Sequence, residues 1–370
     1  MKKAAIIFGL FLFIILFVAI LTVISRASFG IFGAPRSSIY GSSDRGEHWF
    51  ALTEEDVVIP DENNSRLVGA EVSTIVFHKE APEIIYAGTD GSGLWKSIDG
   101  GSHWHQVLDQ EGVLHPDAVI QSIESLSFTT NAEEGIREEF LVSVFQDDYG
   151  RILHTTDGGA HFDERFVTSK EGSGVQFIDL DPTSRNVVWA GTGESIIVRS
   201  TDRGITWHKI GEMRGLPLGI VPLSGSSAHL LAPTLKNGLQ ESLDGGKSWR
   251  RKSRLNGEIR GISQIISFHY DPRTAHLYLG TEEGLVESTD GGFTWLPVPI
   301  VVPEKKVAVR TIVSSPLNSS LLYAAAGPNM YISSDRGRTW RVRHFPIRHS
   351  IATIAVDPSR DEHVLVGIHK

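Results

Sequence analysis

The sequence predicts an all-β chain: a seven-bladed β-propeller of four-stranded antiparallel blades, the first blade closed by both termini, preceded by one N-terminal transmembrane helix. Three observations carry this. An eight-residue phrase recurs seven times, 42 to 58 residues apart, the period of a ring or stack built from one small sheet per repeat. Between the phrases run short alternating segments rich in Val, Ile, Tyr and Thr, punctuated by Gly and Pro, which read as strands and turns. The first thirty residues are unlike everything after them.

That opening segment sets Lys2 and Lys3 before an unbroken apolar run from Ala4 to Ile24, the length that spans a bilayer. A cleaved signal has a shorter apolar core and a small-residue cleavage site. Ser25-Arg26-Ala27-Ser28 is a poor match. Residues 1–30 therefore read as an uncleaved signal anchor and residues 31–370 as one propeller domain. The two lysines mark the cytoplasmic side and put the domain outside the cytoplasm, periplasmic or extracellular. The formal charge is −9, which offers no basic field to nucleic acid. There is no Cys, which excludes disulfides, thiol catalysis, thiolate metal sites and a lipid-modified Cys anchor.

The recurring phrase is clearest at Ser288-Thr289-Asp290-Gly291-Gly292-Phe293-Thr294-Trp295. Its Asp recurs as Asp44, Asp99, Asp157, Asp202, Asp244, Asp290 and Asp335, followed two residues later by Gly. The closing aromatic is Trp in six copies and Phe162 in one. A short Asp side chain hydrogen-bonds N–H groups of its own turn, and Gly supplies the positive φ of a tight reversal. The aromatic then opens the next strand and buries a large apolar surface. The carboxylates are read as structural clamps. A calcium loop needs several oxygen ligands and a closing bidentate Glu, whereas each copy has one carboxylate. His48, His103 and His161 take the place of Thr or Ser in the first three copies but sit in different blades. No metal and no cofactor is predicted.

Each repeat reads alike. An alternating first strand (Ser73–Phe77; Arg310–Ser314) is followed by a turn, four times Asp-Pro or Ser-Pro, and then a β-rich second strand (Ile84–Thr89; Leu277–Thr281). A short third strand leads into the phrase, whose aromatic begins the fourth. The first copy has only a third strand before it, Ser38-Ile39-Tyr40. The chain ends with an unmatched first strand, Ile351–Val356, and an unmatched second, Glu362–Gly367. Together they make one blade, which removes the free sheet edges. Two places fit poorly. Pro217, Pro222 and Pro233 fall where strands of the fifth repeat should run, and a charged insertion near Asn131–Glu139 reads as an exposed hairpin loop. The linkers Leu52–Ala70, which is acidic, and His105–Ile120 are long for a compact domain.

The phrase resembles the Asp-box, or BNR, repeat of sialidases, sortilin-type receptors, some xyloglucanases and photosystem II assembly factors. Over residues 37–370 the chain is most similar to the photosystem II stability/assembly factor-like propellers. That resemblance implies an exported seven-bladed ring without catalytic residues that holds a protein partner on one face. In sialidases the site lies on the face opposite the boxes, around the channel mouth. Residues that match those positions here are Glu71, Gln121, Gln176, Arg260, Arg310, Arg348 and His349, with Asp90, Asp147, Asp148, Glu194, Glu282 and Glu283 on adjoining loops. The Arg-Ile-Pro signature of sialidases is absent. The reading is a monomeric, membrane-anchored extracytoplasmic scaffold that binds a protein or glycan, with Arg260, Arg310, Arg348, His349 and Glu71 as its binding residues. The alternative is a glycoside hydrolase that uses acidic residues of that same face.

Overall fold

A computed structural model describes residues 37–53, 67–131, 135–223, 226–235, 237–252, 264–300, 308–345 and 349–369. The predicted membrane segment and the acidic stretch 54–66 lie outside the described residues. No helix among the described residues is long and apolar enough to cross a membrane.

The described chain forms seven four-stranded antiparallel units, each with one Asp phrase between its third and fourth strands. In unit 2, strands Val72–Phe77, Ile85–Thr89, Leu94–Ser97 and His105–Gln106 lie in that order across the sheet. Units 3, 4, 6 and 7 repeat the order. Unit 1 is shared between the two ends of the described chain, as the orphan strands require. Phe50–Ala51 and Ile39–Ser42 are followed by Val364–His369 and Ser350–Val356. Tyr40 lies opposite Val366 in that pairing. From unit 6 through units 7, 1, 2, 3 and 4 to unit 5 each first strand touches the next, and the second strand of unit 5 touches the first strand of unit 6, so the units close into a ring.

Second strands are buried along their length and form the centre of each sheet. They also show why Gly recurs there. A Cβ on Gly88 would fall 2.6 Å from Ile120 of the next unit, and one on Gly280 would fall 2.2 Å from the Val309 carbonyl oxygen. The missing side chain lets the next first strand lie directly against the sheet. Apolar side chains then interdigitate between units: Tyr40, Tyr323, Phe345 and Ile354 form one such layer, and Trp95, Trp104, Ile75 and Leu365 another.

The two poor fits resolve differently. In unit 5 the first strand is broken into Leu216–Pro217 and Val221–Leu223, both pairing with Ser226–Leu235. A single parallel bridge, Leu235 to Ile265, fuses this unit with unit 6 into one nine-stranded sheet. The charged insertion in unit 3 is not a loop at its base. Val119–Asn131 and Gly135–Gln146 pair along its whole length, from Ser127 opposite Glu139 to Asn131 opposite Gly135. Glu138 is buried against Lys96 Nζ (2.8 Å) and the Tyr86 hydroxyl of unit 2, while Glu139 meets Arg203 (2.6 Å) of unit 4. The charges that marked the insertion as exposed thus tie three units together.

The 105–120 linker is ordered by its own side chains. The Asp109 carboxylate accepts from the N–H groups of Glu111, Val113 and Leu114, and Leu114 and Ala118 are buried.

Deleting residues 350–370 should strip the inner half of unit 1 and leave Ile39–Ser42 as an unpaired edge. The truncated chain is expected to lose its single cooperative melt and to aggregate, which calorimetry and light scattering would detect; a melt like that of the intact chain would contradict the shared sheet.

Candidate binding face and the box clamps

All seven Asp turns share one hydrogen-bond pattern. The opening Ser or Thr hydroxyl donates to the Asp Oδ1 at 2.7–2.9 Å and accepts the Gly N–H at 2.7–3.0 Å. The same Oδ1 accepts the N–H four residues beyond the Asp at 2.8–3.0 Å. Each Trp donates its indole N–H to the box Gly carbonyl at 2.9–3.1 Å. Two consecutive residues take positive φ, as at Gly291 (72°) and Gly292 (82°); where the first of them is not Gly, Arg45, Arg203 or Arg336 takes the left-handed conformation.

The second carboxylate oxygen shows what His is doing in the first three boxes. In the others Oδ2 accepts from a Thr or Ser hydroxyl, as with Thr294 on Asp290 at 2.5 Å. In the first three the imidazole Nδ1 takes that place, 2.5 to 2.7 Å from Asp44, Asp99 and Asp157. His48, His103 and His161 are therefore parts of the clamp. Hydrogen bonding to Asp157 raises the His161 pKa. Burial pushes Asp157 up, but bonds from His161 and Thr155 outweigh it and hold the carboxyl below the usual range.

The opposite end of each unit carries the predicted binding residues. In six units the pairing of first with second strand skips one residue, a β-bulge: Ser73, Gln121, Gln176, Ile266, Arg310 and Ala352 are the skipped residues. A bulge re-aims its side chain away from strict alternation. Gln121, Gln176 and Arg310, picked from the sequence as entries to first strands, thus occupy one structurally repeated position. Arg310 is exposed and has no hydrogen-bond or ion-pair partner among the described residues, so the Glu282–Glu283 loop does not neutralise it.

His349 is exposed immediately before Ser350–Val356. Glu71 sits immediately before Val72–Phe77, its carboxylate 2.8 Å from His369 Nδ1. Arg260 and Arg348 lie outside the described residues. Two of the acidic loop residues are occupied locally: Asp147 by Arg151 (3.4 Å), Glu194 by the Ser169 hydroxyl (3.0 Å) and Lys170 N–H (3.2 Å).

Sequence reasoning missed a different set. At the fourth position of the first strand counted from the bulge, units 2, 7 and 1 carry Val76, Val313 and Ala355, but units 3, 4 and 6 carry Glu124, Asp179 and His269. All six are part-buried. Asp179 Oδ2 accepts the Ile220 N–H at 2.9 Å, and His269 Nε2 accepts the Ser314 N–H at 3.1 Å. Burial, with the Asp179 charge beside it, pushes Glu124 up to about 8; burial pushes Asp179 up to about 7 and His269 down to about 4. The available signal was the repeat register itself, with a titratable residue in three copies where others hold an aliphatic one. Among the described residues no group of three or more His, Asp or Glu is arranged to hold a metal ion.

A family profile described as the BNR/Asp-box repeat matches residues 198–209, the box of unit 4 with the end of the strand before it and the start of the strand after it. The chain carries the Asp-box repeat. Among curated relatives, the xyloglucanase Xgh74A of Acetivibrio thermocellus is 22% identical over 290 residues, 74% of this chain but only 30% of that enzyme. Of solved structures, the GH74 xyloglucanase of Xanthomonas campestris superposes with a TM-score of 0.60 and 17% identity, covering 80% of this chain and 51% of that one. A structure of YCF48 bound to D1 peptide superposes with a TM-score of 0.57 and 16% identity, covering 81% of this chain and 93% of that one. These likenesses show the fold, a β-propeller of Asp-box units. The chain spans less than a third of that curated relative's length.

Two predictions test the clamps. Trp295, fully buried, should cost roughly 3–5 kcal/mol as Trp295→Ala, and Asp290→Ala roughly 1–3 kcal/mol through the turn N–H groups it orphans, both read by chemical denaturation. The acid limb gives the second. Bonds from Thr339 and Ser333 hold Asp335 at about 2, below an unfolded carboxyl near 3.9. Its stabilisation is present above roughly pH 4 and is lost as pH falls through about 2. Asp335→Asn should flatten the fall in melting temperature over that window, and an unchanged acid limb would contradict the clamp.

Proposed function

We propose that this propeller is a non-catalytic scaffold that binds a carboxylate-bearing protein segment at the channel mouth, on the face opposite the boxes. The observation that carries this is Arg310. In a chain of net charge −9 it stands exposed, unpaired among the described residues, on a bulge that turns it out of the strand alternation. A guanidinium offers a planar pair of donors suited to a carboxylate. The sequence offers Arg260, Arg348 and His349 as further candidates at the entries to neighbouring first strands, and Glu71 pairs with His369 at another. The superposition on nearly the whole of a propeller bound to a peptide supports a protein partner over a glycan. Residues 1–30 hold this scaffold to a membrane with the propeller outside the cytoplasm, and the ring acts as a monomer.

The second reading, hydrolysis of a glycan, has the xyloglucanase likeness and the carboxyl pair Glu124 and Asp179 behind it. An inverting glycosidase needs one carboxyl protonated and its partner ionised, with room between them for water. Here burial lifts both groups toward neutrality, and one oxygen of Asp179 is taken by the Ile220 N–H. This arrangement suits structure better than acid–base chemistry.

The test is partner capture from the native envelope by the full chain and by an Arg260→Ala, Arg310→Ala, Arg348→Ala variant, with melting curves for both. Loss of capture at unchanged stability is expected. Retained capture would move the partner elsewhere on the ring, and reducing-sugar release from xyloglucan that disappears in Glu124→Gln would establish the hydrolytic reading.

A further inference from the structure

Beyond any partner, the channel wall contains an arrangement that the clamps and the mouth do not use. The first strand of unit 5 is interrupted between Pro217 and Val221, so Leu218, Gly219 and Ile220 lack the continuous pairing that other first strands have. Leu218 N–H still reaches the Pro233 carbonyl (2.9 Å), but Ile220 N–H is held by a side chain, the Asp179 carboxylate of unit 4. The fit there is close: a Cβ on Gly219 would lie 3.0 Å from Asp179 Oδ2 and 3.0 Å from the Phe268 ring.

Glu124 stands on the adjacent first strand, at the register position that Asp179 holds on its own strand. No hydrogen bond or ion pair engages its carboxyl among the described residues. Two charged groups bear on Glu124, Asp179 from unit 4 and Lys79 beyond the end of the unit 2 first strand. From unit 5, the Asp179 carboxylate meets the Ile220 N–H.

We propose that Glu124 and Asp179 form a proton-governed latch on the interrupted first strand of unit 5. With Glu124 protonated, Asp179 holds Ile220 and the segment stays seated against Phe268. Burial raises both carboxyls, and the charge of Asp179 opposes ionisation of Glu124. Once both are ionised, two like charges share a part-buried wall, and the segment whose backbone pairing is interrupted is the one that yields and admits water. The sign follows from linkage. Both carboxyls are raised above their unfolded values, so the stabilisation they bring is complete below about pH 4 and is lost as pH rises through 7 to 8.

The experiment is amide hydrogen exchange on the full chain between pH 6 and pH 9, corrected for the base dependence of intrinsic exchange. Ile220 is the reporter and Ala190, in the regular sheet of unit 4, the control. The opening constant at Ile220 is expected to rise by about tenfold or more over this range, matching a carboxyl displaced by at least one pKa unit across it, while Ala190 stays level. Glu124→Gln should cut the rise to the part that Asp179 alone supplies and melt above the wild type at pH 9. Asp179→Asn keeps an acceptor oxygen for Ile220 and should likewise cut the rise, so it decides the matter if Glu124→Gln does not fold. A flat wild-type profile, an equal rise at Ala190, or a rise that is undiminished in the variants would overturn the latch.

Discussion

One carboxylate in each unit closes a turn that would otherwise leave its N–H groups without partners. The Asp takes a backbone N–H and two side-chain donors, and the Trp that follows returns its indole N–H to the Gly of the same turn. Third and fourth strands are joined at a fixed angle because the turn between them has one geometry. The ring depends on this repetition, since seven sheets close only if each is built to the same shape. The choice of His in place of Thr or Ser does not disturb it, because imidazole Nδ1 reaches the same oxygen.

Neighbouring units are then joined by two kinds of contact. Inside, glycines on second strands admit the next first strand, as Gly88 admits Ile120. Outside, buried or part-buried acids bridge to cations of the next unit: Glu138 to Lys96, Glu139 to Arg203, Glu47 to Arg341 (2.6 Å). Within unit 5, Glu241 gathers His229, Arg250 and Lys252 beside the half-exposed ring of Phe293 from unit 6. Such buried acids tolerate their position because every one is paired, and removal of a partner would leave a charge without compensation.

The sequence made the boxes, the repeat number and the shared first unit readable because each depends on local spacing. Asp290, Gly292 and Trp295 announce a turn wherever they fall, and the unmatched strands at the ends need only be counted. The mouth was partly readable. Arg310 and Gln176 could be placed at strand entries, but the bulge that aims them is a property of pairing with the next strand and has no signature in the residues themselves. Glu124 and Asp179 were hidden for a related reason. Both faces of a first strand are part-covered, and the bulge upstream reverses which residues of the alternation face inward. A carboxylate there reads as a solvent-facing residue. The charged insertion misled in the opposite sense, because its acids are buried by cations from units distant in sequence.

The pairing of Ile39–Ser42 with Val364–His369 also fixes an order of events. More than three hundred residues separate the partners, so this ladder is the longest-range one in the ring and carries a large loop-closure cost before it forms. During synthesis the early strands emerge with one edge bare, and they keep it bare until the last ones arrive. Units 2 to 7 can each assemble from contiguous chain, whereas unit 1 waits for the final strands. The bare edge of Ile39–Ser42 therefore distinguishes a finished ring from an interrupted one, and it is the strand a chaperone or protease would meet on any chain that stalled short of its end.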